Sequence, residues 1–161
     1  MFAAFTRWRR RRILARKRID DGVWRATLAR LPFLAHLDDG ERARLRDWVT
    51  LFLHEKAVSG AGGIVFEPWM PVLIAAQACL LILNLDLDYY DGWAEVIVYP
   101  DEFVPTVEYT DEAGVVHTGR EVRAGEAWLH GPVVLSWADV ACIDDGVNVV
   151  IHEFAHKLDM L

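Results

Sequence analysis

The chain has 161 residues, 53% of them hydrophobic, and a formal net charge of −7. This length fits one domain with a buried core, and seven tryptophans in an apolar-rich sequence exclude a disordered chain. Residues 7–18 carry eight of the 17 basic residues and no acid, so the rest of the chain is strongly acidic. Such a body repels nucleic acid, which confines any phosphate affinity to the basic segment.

Residues 1–18 are predicted to be a basic, flexible N-terminal arm, separate from a body of residues 19–161. Phe2, Phe5 and Trp8 recur every three residues, so a weakly amphipathic surface helix is the alternative to a solvated terminus. A contact of Arg7–Arg18 with a membrane or with nucleic acid is a weaker hypothesis.

Two helices are predicted in the first half of the body. Asp38 or Asp39 is expected to cap a helix that begins near Gly40 and repeats apolar residues at helical spacing. The glycine-rich residues 57–67 are interpreted as a flexible link. The apolar stretch 69–87 contains Pro71 and Gln77, so it is a poor candidate for a transmembrane segment and predicts a buried core helix at about 70–84.

The middle of the chain alternates with the period of β-strands. Strands are predicted at residues 94–100 and 132–140, and residues 106–118 read as a hairpin. Because no helix separates these strands, we expect helices packed on a small, mainly antiparallel sheet, which is an α+β fold. The sequence Asp144-Asp145-Gly146 predicts the start of a last helix.

That last helix carries the motif His152-Glu153-Phe154-Ala155-His156. A spacing of four residues puts both imidazoles on one helix face, where they can bind one zinc ion at about 2.0–2.1 Å. Glu153 is rotated about 100° from His152, which suits a general base that takes a proton from a zinc-activated water. The apolar residues before the motif predict that the helix is buried, with the metal compensating its polar groups.

A catalytic zinc site normally has three protein ligands and a water. Asp159 lies on the histidine face, so it is a candidate ligand, although a role in orienting a ligand or in capping nearby backbone is favoured because it is so close along the same helix. Other candidates within the chain are His36, His54, His117 and His130, none with supporting spacing. The simplest expectation is a third ligand beyond residue 161, in which case this chain is part of a longer protein and inactive alone.

The segments DDGVNVVIHEFAHKLDML, LIAAQACLLILNL and GWAEVIVYPDEFV closely resemble the Mlc titration factor A family of bacterial metallopeptidases. The resemblance runs in the same order from about Leu31 to Leu161. It implies a zincin-like fold, a cytoplasmic location and a zinc-dependent, aminopeptidase-type activity on peptide substrates. It also implies that His152 and His156 bind zinc with a glutamate further downstream, and that Glu153 is the base.

The family resemblance implies a second role as well, the binding of the transcriptional repressor Mlc, which controls sugar phosphotransferase genes. The leading hypothesis is therefore a zinc peptidase that can also regulate transcription. The alternative is a non-catalytic, repressor-binding protein whose zinc site is structural or vestigial.

Overall fold

The structure is a computed structural model that describes residues 2–101, 107–110, 116–119, 130–142 and 148–159. The α-helices are α1 (Phe2–Lys17), α2 (Asp21–Arg30), α3 (Asp39–Glu55), α4 (Trp69–Leu81), α5 (Trp137–Ala141) and α6 (Val149–Asp159). Two short 3-10 helices span Pro32–His36 and Leu87–Tyr90. The strands are β1 (Ala57–Gly60), β2 (Glu95–Tyr99), β3 (Val107–Thr110), β4 (Val116–Gly119) and β5 (Val133–Ser136). The predicted α+β class is confirmed.

The prediction of a mainly antiparallel sheet is wrong. The three-stranded sheet has the order β1-β2-β5, and both pairs are parallel, with Ala57 opposite Glu95 and Val96 opposite Val133. One reason is β1, which lies in the segment interpreted as a flexible link. Because α4 connects β1 to β2, the two strands form a crossover unit that runs parallel. The predicted hairpin is present as β3 and β4, which form a separate antiparallel pair.

The apolar helix is the centre of the core, as predicted. Helix α4 packs against α2, α3 and α6, and nine of its 13 residues are buried. One of them is polar: Gln77 is 1% exposed. Within the described ranges, no helix is long and apolar enough to cross a membrane.

Helix α3 begins where the sequence predicts. The carboxylate of Asp38 accepts a hydrogen bond from the backbone N–H of Glu41 at 2.8 Å, and the Glu41 side chain accepts from the backbone N–H of Asp38 at 2.9 Å. This reciprocal pair satisfies two of the helix's free N-terminal donors. The predicted apolar face is confirmed by Leu45, Val49 and Phe52, all buried.

Most of the basic arm is helical, which is the alternative to a flexible terminus. It lies in α1, which packs on α3. Ile13 is buried beneath the helix. Arg10 contacts Glu55, Asp86 and Asp88, acids that are far away in sequence. An apolar contact and an ionic cluster thus attach one face of α1 to the body.

Candidate metal centre

The start of α6 is fixed by one side chain, Asn148. Its carbonyl oxygen accepts a hydrogen bond from the backbone N–H of Ile151 at 2.9 Å, which caps the helix. Its amide nitrogen donates to the side-chain oxygen of Gln77 at 2.5 Å. The polar residue in the middle of α4 therefore holds the first turn of the motif helix. The predicted cap at residues 144–146 lies outside the described residues.

The inner face of α6 is anchored by Val150 and Phe154, both 0% exposed. The ring of Phe154 packs against those of Phe52, Tyr90 and Trp93, with centroid distances of 5.9, 5.6 and 5.7 Å. Those three rings also contact one another at 5.8–6.1 Å. This four-ring cluster fixes the rotation of the motif helix about its own axis.

The two motif histidines are on the outer face of α6 and are exposed. We expected them to point into the core, and the structure differs because Val150 and Phe154 occupy that side. Each histidine follows one of these residues by two positions, about 200° around the helix. The histidines are thus accessible to an ion from the solvent.

The histidine pair converges on one point. The Nε2 atoms of His152 and His156 are 3.1 Å apart. A tetrahedral zinc ion with bonds of about 2.0–2.1 Å separates two ligand nitrogens by about 3.3–3.4 Å. The pair therefore fits a single ion after opening by only a few tenths of an ångström.

Glu153 is half-buried and adjacent to His152 on α6, while Asp159 is exposed at the last residue of that helix. The other candidate ligands have different surroundings. His54 is exposed on α3, Nδ1 of His130 is 3.1 Å from the carbonyl oxygen of Gly92, and Nδ1 of His36 contacts the carbonyl of Phe33. The side chain of His117 is outside the described part.

The structure brings together two of the predicted ligands. Among the residues that the structure describes, no group of three histidine, cysteine or acidic side chains could hold a metal ion. The histidine pair is therefore the nucleus of a candidate site, to which a third donor has to be added.

Sequence reasoning missed two buried lysines, one on the inner face of α6 and one that follows α3. Lys157 is 5% exposed, and its Nζ donates to the carbonyl of Gly131 at 2.7 Å, just before β5. Lys56 is 7% exposed, and its Nζ donates to the carbonyls of Tyr90 and Trp93. Both ammonium groups face the Trp93 ring, at 4.5 Å for Lys56 and 5.4 Å for Lys157.

Burial lowers the pKa of both lysines. The sequence contains one signal for Lys157. It follows Val150 and Phe154 at positions i+7 and i+3, so it shares their inward face. Lys157 links the motif helix to the segment that enters the edge strand β5.

Comparisons with known proteins agree with the motif. The model of the family described as glucose-regulated metallo-peptidase M90 matches residues 5–161. The chain is 40% identical to the Mlc titration factor A of Klebsiella pneumoniae subsp. pneumoniae over 138 residues, which are 84% of this chain and 52% of that protein. It is also 40% identical to the Mlc titration factor A of Salmonella arizonae over 142 residues, 87% of this chain and 56% of that protein. The chain spans about half the length of the curated relatives it matches.

Proposed function

The chain belongs to the glucose-regulated metallo-peptidase M90 family, and from this premise we propose that it carries the core of a zinc-dependent peptidase site of the aminopeptidase type. The observation that carries the proposal is the 3.1 Å separation of the two Nε2 atoms on the exposed face of α6. Two imidazoles held this close, on a helix whose rotation is fixed from below, form a preorganised pair of ligands.

His152 and His156 would hold the zinc ion, and a glutamate further along the family's chain would be the third ligand. Because the chain spans about half the length of its relatives, there is room for that residue outside it. The same resemblance supports a zincin-like arrangement of helix and sheet and a cytoplasmic location, which we include in the proposal.

When bound, a zinc ion would supply an acidified water and a polarised scissile carbonyl. Glu153 would accept a proton from the attacking water on its carboxylate and deliver it to the leaving amine. Its position one residue after His152 turns the carboxylate about 100° away from that imidazole, so it would serve as the base and not as a ligand.

The test is the Glu153→Gln substitution in the whole protein, assayed on aminoacyl anilides. Removal of the base should lower kcat by about 10²–10⁴-fold, while metal analysis should still find zinc because both histidines remain. Asp47→Asn, which makes the same carboxylate-to-amide change on the exposed side of α3, should leave kcat unchanged. Hydrolysis retained in Glu153→Gln would refute the assigned role.

A second candidate function is suggested by the name of the relatives, which describes them as titrating Mlc. We propose that this chain contributes to binding an Mlc-like transcriptional repressor, either together with peptidase activity or, in the alternative, with a zinc site that is only structural or vestigial. A pull-down with wild type and His152→Ala separates the two cases. Repressor binding that survives zinc loss, together with no hydrolysis by wild type, would favour the non-catalytic alternative.

A further inference from the structure

Helix α1 is attached to the body by one face only. The Arg10 guanidinium is 11% exposed and contacts carboxylate oxygens of Glu55 at 3.2 Å, Asp86 at 3.1 Å and Asp88 at 2.7 Å. Ile13, one turn further on, is 7% exposed. These contacts orient the helix, and they place the acidic cluster under α1 rather than on its outer side.

The opposite face of α1 has an apolar centre. At about 100° per residue, Trp8 lies diametrically opposite the attached face, with Ala4 and Ala15 close to the same line and Phe5 beside it. Phe5 is 61% and Trp8 is 54% exposed, and their ring centroids are 5.9 Å apart. Two large aromatic side chains stacked in solvent form a contiguous apolar patch, the kind of surface that marks interaction sites.

Arginines border this apolar centre on both sides. One side has Arg9, Arg12 and Arg16, and the other has Arg7, Arg11 and Arg18, all exposed. The Arg12 guanidinium carbon is 5.4 Å from the centroid of the Trp8 ring. Of these six, Arg9 and Arg18 reach a carboxylate of the body, at 3.5 and 3.9 Å. Most of the positive charge around the aromatic centre is therefore directed outwards.

We propose that this face of α1 is a docking surface for an anionic lipid membrane, on which the helix lies parallel to the surface. An apolar centre between two rows of arginines suits a lipid interface, because the aromatic rings enter the acyl boundary while the guanidinium groups reach back to phosphates. A nucleic acid is a poorer fit, since its phosphates and base edges would face Trp8 and two alanines in the middle of the contact.

The proposal is independent of the peptidase site, because it involves neither the motif helix nor its histidines. It gives the chain a place at the membrane surface without a spanning helix. The attached orientation of α1 then holds the body on one side of the helix and the lipid on the other.

The test is co-sedimentation of the chain with vesicles of phosphatidylglycerol mixed with phosphatidylcholine, compared with vesicles of phosphatidylcholine alone. The anionic vesicles should bind the chain, and the binding should fall as salt is added. Arg11→Ala and Arg12→Ala should each weaken it about fivefold. The matched control Arg25→Ala changes an exposed arginine on α2, which does not belong to the docking surface of α1. It should change vesicle binding less than about twofold.

The aromatic centre is tested separately. Trp8→Ala should weaken vesicle binding by about tenfold or more through the loss of buried apolar area. Val65→Ala is the control, since Val65 is 84% exposed but does not lie on α1. All these side chains are exposed, so unchanged thermal unfolding will show that the variants are folded.

Three results would overturn the proposal: equal binding to neutral and anionic vesicles, no effect of Trp8→Ala, or binding to a duplex oligonucleotide without binding to vesicles. The last result would assign the arginines to nucleic acid instead.

Discussion

Phe154, in the middle of the motif, is predicted to be the main anchor of the metal-binding helix. It is 0% exposed and contacts three other aromatic rings at 5.6–5.9 Å. We expect Phe154→Ala to destabilise the fold and to loosen the histidine pair on the other side of α6. The effect on zinc binding would then be indirect, through the helix.

The size of the effect follows from the packing. Truncation of a fully buried phenylalanine costs about 3–5 kcal/mol in free energy of unfolding, from lost transfer energy and the cavity left behind. Phe154→Leu keeps most of the buried volume and loses the three ring contacts, each worth about 0.5–1.5 kcal/mol, so about 1.5–4.5 kcal/mol is expected for it, less than for Phe154→Ala at the same site. A domain of this size is stabilised by about 5–15 kcal/mol, so Phe154→Leu should still fold, and Phe154→Ala should fold unless the wild type lies at the low end of that range.

The assay is urea unfolding followed by tryptophan fluorescence, together with zinc titration of the folded variants. Phe5→Ala is the matched control, because it deletes the same ring from an exposed position and should cost no more than about 0.5 kcal/mol. A cost for Phe154→Ala as small as that of Phe5→Ala would refute the anchoring role. So would a Phe154→Leu variant as unstable as Phe154→Ala, since the difference measures the cavity.

Two further changes test the supports around the motif helix. Asn148→Ala should lower the free energy of unfolding by about 2–4 kcal/mol, because it removes the cap and leaves the buried Gln77 oxygen without its donor. The control Asn84→Ala, at an exposed site, should lower it little in the same urea unfolding experiment. Equal effects of the two substitutions would contradict the supporting role of Asn148. Burial lowers the pKa of Lys56 from its ordinary value of 10.5, so between the lowered pKa and 10.5 the unfolded chain binds more protons and the free energy of unfolding should rise with pH. Unfolding measured over a pH series should show a steeper rise in wild type and in the exposed control Lys17→Met than in Lys56→Met, where the buried Lys157 still has a lowered pKa. Parallel curves for all three would show that Lys56 titrates normally.

Local sequence signals were sufficient for α3 and α4. The cap of α3 and its apolar period lie within neighbouring turns, so no distant residue is needed to recognise them. The motif spacing likewise places both histidines on one face of α6. In each case the information lies within a few residues of the feature.

The features that sequence reasoning missed depend on distant partners. The four residues of β1 become a strand only because β2 pairs with them, about 38 residues later. Arg10 differs from its neighbouring arginines only through the three acids that it meets in the fold. Lys157 would by default be exposed, and it is buried because the Gly131 carbonyl and the Trp93 ring compensate its charge.

Whether the histidines point to the core or to the solvent could not be predicted from the neighbouring residues either. Val149, Val150 and Ile151 make the start of α6 apolar on several sides, so the sequence does not show which side packs inwards. The aromatic cluster decides it, because Phe154 fits between rings supplied by α3 and by the segment before β2. The candidate site could thus be located from the sequence, but its orientation could not.

The parallel sheet has a consequence for the order in which the molecule can assemble. In both strand pairs the second strand is synthesised about 37 or 38 residues after the first, so no part of this sheet can form from a local hairpin. Loop closure has to precede any gain from pairing, which makes such sheets slow to fold. Helix α6 packs on β5 and α4 and follows both in the chain. The histidine pair therefore gains this support only after β5 has paired with β2, and a nascent chain that has not yet formed the sheet cannot hold a metal ion in the native geometry.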